Sequence, residues 1–454
     1  MSNEDALLPT ELEPRVNYRS RQLQATATLG ASLLGSGILA QSKACESTGV
    51  VLFIFLSIGA IIIGHLSAVM LCESVFALAP SNPNVGYSDL VATVFGRKGE
   101  LAILWAITVM QIGCCVGYVV VIGDIFTPLI AHWTNFAPNS AEVIYFFSLL
   151  VILPLTVFIR DLSSFKYTSA ASVVIIFFFV GVVVANGIYV VASDNPNEKR
   201  QELIGIDEDL TGPYLWPKSA TVFRSLPLVS FAYFMHFNVV PVLNTLRDLG
   251  SVEAKMSYIV ASRLSFVLSG SFTMMFGLFG YLTFLSETNA DILSNFRVTS
   301  TYISSFLNIV RALYGFALML AYPIVIWEAR ENLKRIWFGG QDDALLSSSS
   351  DVMTLDSKKE LRDSFRVHAL LSAILVFITA LIGSLVSDLN VVFGLIGSAC
   401  TPVIGYIMPA ALFLRCGAAE KEQMSFTAQI ILYTGFFLVP FGLIIWFLDR
   451  FEIL

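Results

Sequence analysis

Uncharged, apolar stretches of about 20 residues recur along nearly the whole chain, and each could cross a hydrocarbon layer of about 30 Å as a helix. Inside lipid only helices and closed barrels satisfy every backbone polar group, and segments this long suit helices rather than barrel strands. The run from Val50 to Leu71 carries one ionisable side chain, His65. Of the 454 residues 56% are hydrophobic and 13% charged, with mean hydropathy +0.75. Soluble domains carry about 25% charged residues. The fold class is therefore all-α: a polytopic membrane protein whose first partner is the lipid bilayer.

The same numbers exclude several functions. A net charge of −7 with no basic stripe leaves nothing to grip phosphates, so no nucleic acid partner is expected. The six cysteines lie in or beside apolar segments, without disulfide-framework or zinc spacing, so no metal site is expected. Ser, His and Asp are scattered without a nucleophile elbow, and no glycine-rich phosphate loop precedes a Lys-Ser or Lys-Thr pair. The chain is read as no enzyme, with no catalytic residues, no cofactor and no ATP-driven pumping. The first 20 residues are acidic and polar, unlike a cleavable signal peptide.

Eleven spans fit the hydropathy pattern: 24–45, 50–79, 99–131, 142–159, 166–192, 219–244, 255–286, 300–328, 366–386, 389–414 and 427–447. We divide the chain into a cytoplasmic tail over 1–22 and a transmembrane domain over 23–450. The domain comprises repeat one over 23–192, repeat two over 219–415 and an extra helix over 427–447. The polar stretch 339–363, with four consecutive serines from Ser347, is expected to be a disordered cytoplasmic loop. Counting Lys and Arg in alternate connections gives 18 on the side of the N-terminus and 5 on the other. The N-terminus is thus expected in the cytoplasm and the C-terminus outside or in a lumen.

Five-plus-five arrangements of spans suggest inverted repeats, in which matching interrupted helices hold the substrate site. Span 1 carries Gly35-Ser36-Gly37 at its middle, after a small, polar run ending in Ala31-Ser32. Span 6 carries Pro227 and Pro241 on either side of Ser230-Phe231-Ala232-Tyr233-Phe234-Met235-His236. Glycine weakens a helix and proline removes a backbone donor, so both spans should break, five spans apart. Small residues can also mark close helix packing, which is the competing reading of Gly35 to Gly37.

The stretch Leu34-Gly35-Ser36-Gly37-Ile38-Leu39 resembles the helix 1 signature of the amino acid/auxin permease family. The block from Ser230 to Phe284 is the more specific match to its sodium-coupled neutral amino acid transporter branch. It contains His236, Val239-Val240-Pro241, Leu246-Arg247-Asp248 and Phe279-Gly280-Tyr281-Leu282-Thr283-Phe284. Arg311 to Arg330, around Pro323, is similar to the branch's helix 8. The resemblance spans about residues 20–415 and implies a LeuT-type fold of eleven helices with broken helices 1 and 6, working by alternating access. It implies that Gly35, Ser36 and Gly37 offer free amides to a substrate carboxylate, at a half-helix N-terminus. Carbonyls near Ser32 and Ser230 would take the substrate ammonium, and Tyr233 lines the same site. It also makes Arg311 a candidate for a structural ion pair.

Two departures bear on coupling. The family's helix 1 often has a sodium-linked Asn where this chain has Ala31, and the stretch from Arg311 to Pro323 contains no Ser or Thr. His236 at the second break is followed by Phe237-Asn238 instead of the family's Pro-Glu. An imidazole titrates in water at about pH 6.5, so His236 and Asn238 are candidate coupling or gating residues. The expected function is secondary active amino acid transport, neutral substrates favoured, as proton symport or uncoupled movement rather than sodium symport. A sensor that signals amino acid binding to a cytoplasmic partner is the alternative. Acidic dileucine patterns at Glu4 to Leu8 and Asp342 to Leu346 resemble endosomal or lysosomal sorting signals, leaving plasma membrane and endosomal, lysosomal or vacuolar membranes open.

The charge asymmetry makes a topological prediction. In sealed cells, a cysteine placed at Ser348 should be protected from an impermeant thiol reagent. One at Glu198 should react at the cell surface, or after permeabilisation of an internal membrane. Both positions reacting from one side would overturn the layout.

Overall fold

Helices, two of them paths broken mid-way, make up most of the described chain. The computed structural model describes residues 18–80, 82, 85–134, 136–158, 166–204, 210–217, 219–296, 302–338, 364–386, 388–417 and 422–451. Both dileucine patterns and the 339–363 stretch lie outside them.

The chain opens with α1 (Tyr18–Leu33) and α2 (Gln41–Thr48), separated by one turn of 3-10 helix at Ser36–Ile38. Then follow α3 (Val50–Leu78), α4 (Tyr87–Thr134), α5 (Ser140–Phe158), α6 (Lys166–Val191) and a short α7 (Pro196–Ile204). The second half opens with α8 (Val222–Ala232) and α9 (Val239–Leu246), with a 3-10 turn at His236–Asn238 between them. It continues with α10 (Ser251–Phe284), a single turn α11 (Ile292–Asn295), α12 (Tyr302–Phe338), α13 (Phe365–Leu385), α14 (Leu389–Arg415) and α15 (Glu422–Arg450).

Ten helices among the described residues are long and apolar enough to cross a membrane. The expected first span is absent from that set because its break divides it into helices of 16 and 8 residues. Ten candidates, one of them the interrupted α8–α9 path, and the divided α1–α2 path are described where the sequence reading expects eleven spans. Several helices also outrun their hydropathy-based ends. Beyond the expected end at Glu328, α12 continues to Phe338, and α4 starts at Tyr87 rather than at Gly99. Gly96, at φ +66°, turns the first two turns of α4 away from its membrane-crossing part.

Burial sorts the helices. The most apolar windows of α4 and of α8–α9 are 78% buried, against 22% for α15. The former lie at the centre and the latter faces outward. Around the centre, α10 packs on α1, α2 and α3, while α12 and α13 pack on α4. The arms are α6, against α10 and α12, and α14, against α4, α8 and α15. Many of the hydroxyls buried in these spans donate to the carbonyl one turn back, as Thr108 does to Leu104 (2.7 Å) and Ser74 to Met70 (2.8 Å). Such bonds keep polar groups satisfied where water is absent.

Charged side chains gather at the two ends. At one, Arg335 of α12 bonds Asp89 and Glu100 of α4 (3.0 Å to Glu100), and Arg97 reaches Glu100 at 2.9 Å. Lys255 pairs with Glu73 at 2.5 Å. At the other, Lys43 meets Glu46 at 3.0 Å and Arg224 meets Asp449 at 2.7 Å. The Arg335 network welds α4 to α12 and leaves Glu100 only 7% exposed. Arg335→Ala should lower the melting temperature of the detergent-purified protein, by about 1 kcal/mol of stability, because Arg97 still neutralises Glu100. An unchanged melting temperature would mean the network adds nothing net.

Candidate functional site

The two breaks lie face to face. α1 ends at Leu33, and the chain resumes helical geometry only through the 3-10 turn and α2. Among the described residues, the backbone N–H groups of Gly35 and Gly37 donate to no backbone acceptor, while Ile38 donates to the Gly35 carbonyl at 3.3 Å. Opposite them α8 ends at Ala232, and Phe234 and Asn238 make only three-residue turns back to Phe231 (3.3 Å) and Met235 (3.0 Å). Pro227 lies inside α8 and Pro241 in the first turn of α9, where a missing N–H costs nothing.

Specific contacts stitch the breaks together. Asn238 Nδ2 donates to Ser32 Oγ at 2.6 Å, joining the end of α1 to the start of α9. Gln41, fully buried, donates to the Gly37 carbonyl (3.3 Å) and the Leu228 carbonyl (3.0 Å). Ser225 Oγ donates to the Ala44 carbonyl at 3.3 Å. The two glycines differ in their surroundings. A Cβ on Gly37 would meet the Ala232 Cα at 2.9 Å and the Phe231 ring at 3.0 Å, whereas one on Gly35 would meet only the Ser32 carbonyl, at 3.4 Å. Close packing therefore accounts for Gly37, and Gly35 lies on the less crowded side of the turn.

The remaining expected residues surround this seam. Ser230 faces Tyr406 of α14, with the two hydroxyls 3.0 Å apart. Tyr233 is buried with its hydroxyl unpartnered. His236 is 1% exposed; its ring lies by the Gly64 backbone without a well-formed hydrogen bond among the described residues, 5.3 Å from the ring of Phe234. The backbone of Ser36 sits in the 3-10 turn. Ser32, Gly37 and Asn238 thus share one seam, while Ser230 turns toward α14.

Sequence reasoning missed three contributors. Gln41 stands one turn beyond the glycines, and a buried amide in a small-residue span was its only signal. Tyr406 lies in a π-helical turn at Val403–Ile407, which no propensity marks. The third is a cavity of about 400 Å³ lined by Lys43, Glu46, Arg224, Leu228, Asp388 and Asp449, among others. It opens on the face where Arg224 pairs with Asp449. Its wall includes Leu228, whose carbonyl takes the Gln41 amide, so Gln41 stands between this cavity and the seam.

With this geometry in view, relatives become informative. The sequence matches the transmembrane amino acid transporter family over residues 19–448. The chain belongs to that family. It is 28% identical to amino acid transporter AVT6C of Arabidopsis thaliana over 90% of both chains. It is 23% identical to sodium-coupled neutral amino acid transporter 4 of Pongo abelii, over 90% of this chain and 80% of that one. In fold it is similar to Mhp1, a nucleobase-cation-symport-1 family transporter solved in a closed conformation with bromovinylhydantoin bound. The TM-score is 0.55 at 15% identity, over 94% of this chain and 90% of that one. The all-α, LeuT-type architecture with interrupted helices agrees with the reading from sequence.

Glycine substitutions separate packing from backbone chemistry at the break. Gly37→Val should destabilise the protein, because the added carbons collide with backbone across the seam. Gly35→Val should insert and melt like the wild type yet lose uptake, since the branched side chain shields the free amides. Normal uptake kinetics in folded Gly35→Val would remove those amides from the site.

Proposed function

We propose that this protein is a secondary active transporter that moves amino acids, neutral ones favoured, across its membrane by alternating access. The observation that carries the reading is the pair of facing helix breaks, with Gly35 and Gly37 amides left without backbone acceptors. The amides of Gly35, Ser36 and Gly37, at the start of the second half-helix of span 1, take the substrate carboxylate. Carbonyls near Ser32 and Ser230 take the ammonium, and Tyr233 closes the wall of the site. Asn238 and His236 gate it: the Asn238–Ser32 bond crosses from one break to the other and must yield when the half-helices part. No charged group among the described residues interacts with His236, which favours gating over proton carriage for this side chain.

Coupling is to protons, or absent, rather than to sodium. A hard cation wants oxygen ligands, and Ala31 supplies no side-chain oxygen. Between Arg311 and Pro323 the only hydroxyls are those of Tyr314 and Tyr322, and Tyr322 is engaged with Thr379 at 2.6 Å. The membrane orientation follows the cationic asymmetry. The face with Asp89 and Arg335 is cytoplasmic, together with the N-terminus, and the face with Lys43 and Asp449 is extracellular or lumenal.

In proteoliposomes, uptake of neutral amino acids should be unchanged when sodium is replaced by choline at constant pH and membrane potential. Complete loss of uptake under choline would refute the sodium-independent reading. Absence of uptake across the whole amino acid panel would refute transport itself.

A further inference from the structure

Away from the helix breaks, one group of ionisable side chains has no part in holding substrate. Asp291 precedes α11 in the connection between α10 and α12, and it is 4% exposed. Its Oδ1 accepts the Leu293 amide at 2.9 Å, while its Oδ2 is buried without a partner. Arg311 of α12 is 2% exposed; it donates to the Phe296 carbonyl at 2.7 Å, and its Nε is also unpartnered. Asp124 of α4 lies within electrostatic reach of both. The other titratable groups that reach the cluster are Tyr314 of α12, buried with a free hydroxyl, and Asp388 from the turn before α14. One turn from Asp124 and from Arg311 respectively, Thr127 Oγ1 and Asn308 Oδ1 are buried and unpartnered as well.

Charge counting sets the chemistry. Two carboxylates lie within electrostatic reach of one guanidinium, so the fully ionised core of the cluster carries one excess negative charge, with Asp291 buried and Asp124 half-buried. Such a charge is costly, and adding one proton removes it. The pair titrates as a unit, with Asp291 Oδ2 as an open position for the proton.

The cluster's position links that proton to movement. The Phe296 carbonyl holds the connection to Arg311 of α12, and Asp291, bonded to the Leu293 amide in the same connection, lies within electrostatic reach of that guanidinium. From the next residue, Ile292 reaches the other helix group: its Cδ1 lies 2.7 Å from where a Cβ on Gly280 of α10 would stand, and Phe296 packs edge-on against Phe284 at 4.9 Å. This connection therefore bridges α10, which carries the broken helix α1–α2, and the α4–α12 pair. We propose that Asp124, Asp291 and Arg311 form the proton-binding site of this transporter, and that proton uptake there clamps the 288–296 connection across the two helix groups. Burial pushes the Asp291 carboxyl up to about 6, although the Leu293 amide and Arg311 oppose the shift. A carboxyl raised by docking favours the docked connection below that value and releases it as the pH rises past it.

The proposal rests on the transport reading, and one experiment separates their failures. Wild-type proteoliposomes containing a pH dye are given the amino acid they accumulate, and protons moved per amino acid are compared with those for Asp124→Asn and Asp291→Asn. The expected result is a substrate-dependent proton flux in the wild type and a proton-to-substrate ratio near zero in each folded variant. Wild-type uptake without proton flux, or variants with the wild-type ratio, would overturn the site while leaving the permease intact. No uptake by the wild type would overturn both. Should the variants fail to fold, Leu293→Cys provides the test in otherwise wild-type protein. Its thiol-labelling rate relative to exposed Ser294→Cys, which cancels the reagent's own pH dependence, should rise between pH 5 and pH 7.5. A constant ratio would overturn the clamp.

Discussion

Every broken helix in a membrane must answer for the backbone groups it exposes, because each unsatisfied group in hydrocarbon costs several kcal/mol. The fold here is organised around that demand. Gly37 and the segment from Tyr233 to His236 leave their helices buried within the protein, while Gly35 and Asn238 are half-buried beside them. Side-chain amides, buried themselves, take up part of the debt: Gln41 reaches two carbonyls, and Asn238 reaches Ser32. What they leave unpaired is the pair of glycine amides, and a substrate carboxylate has the right chemistry to complete them.

Much of this arrangement could be read before any coordinates. Apolar runs of membrane length dictate an all-helical bundle, and glycine in one span with flanking prolines in another dictates where it breaks. Partners across the seam were not legible. Ser230 pairs with Tyr406, and no local pattern announces a contact 176 residues away. Helix ends were misjudged where amphipathic extensions continue past the apolar run, as α12 does from Glu328 to Phe338. Hydropathy measures what lipid tolerates, whereas the Arg335 network with Asp89 and Glu100 holds those polar turns helical beyond it. Gly35-Ser36-Gly37 shows the limit most clearly. Sequence offered packing and substrate binding as rival readings of one motif, and the structure assigns packing to Gly37 while leaving Gly35 uncrowded.

The charges tell a parallel story. Lys43 and Glu46, Arg224 and Asp449, Lys255 and Glu73 all sit near helix ends, where pairing or contact with water makes ionisation cheap. Arg311 departs from that pattern. Its burial places a fixed positive charge beside more carboxylate than it can neutralise, and α12 cannot rotate it outward without giving up the Phe296 carbonyl.

Alternating access finally requires that some contacts stay welded while others part. α10 supplies the welds on one side. Its Gly277 lets the Phe53 ring and the Gln41 carbonyl approach to within 2.5 and 3.0 Å of a would-be Cβ, and its Gly280 does the same for Ser42. Ser42 Oγ donates to the Phe276 carbonyl at 3.3 Å, and Ser265 Oγ to the Thr26 carbonyl at 2.8 Å. α1, α2 and α3 are thereby fastened to α10 at short range along its length. The α4–α12 pair is fastened equally well by Arg335. Between these two groups the described polar links are fewer: Asn244 to the Val85 carbonyl near one face, and Arg311 to the Phe296 carbonyl near the other. A bundle that is rigid within each group and sparsely tied between them has one cheap way to move, and both ties sit where a gate would have to open.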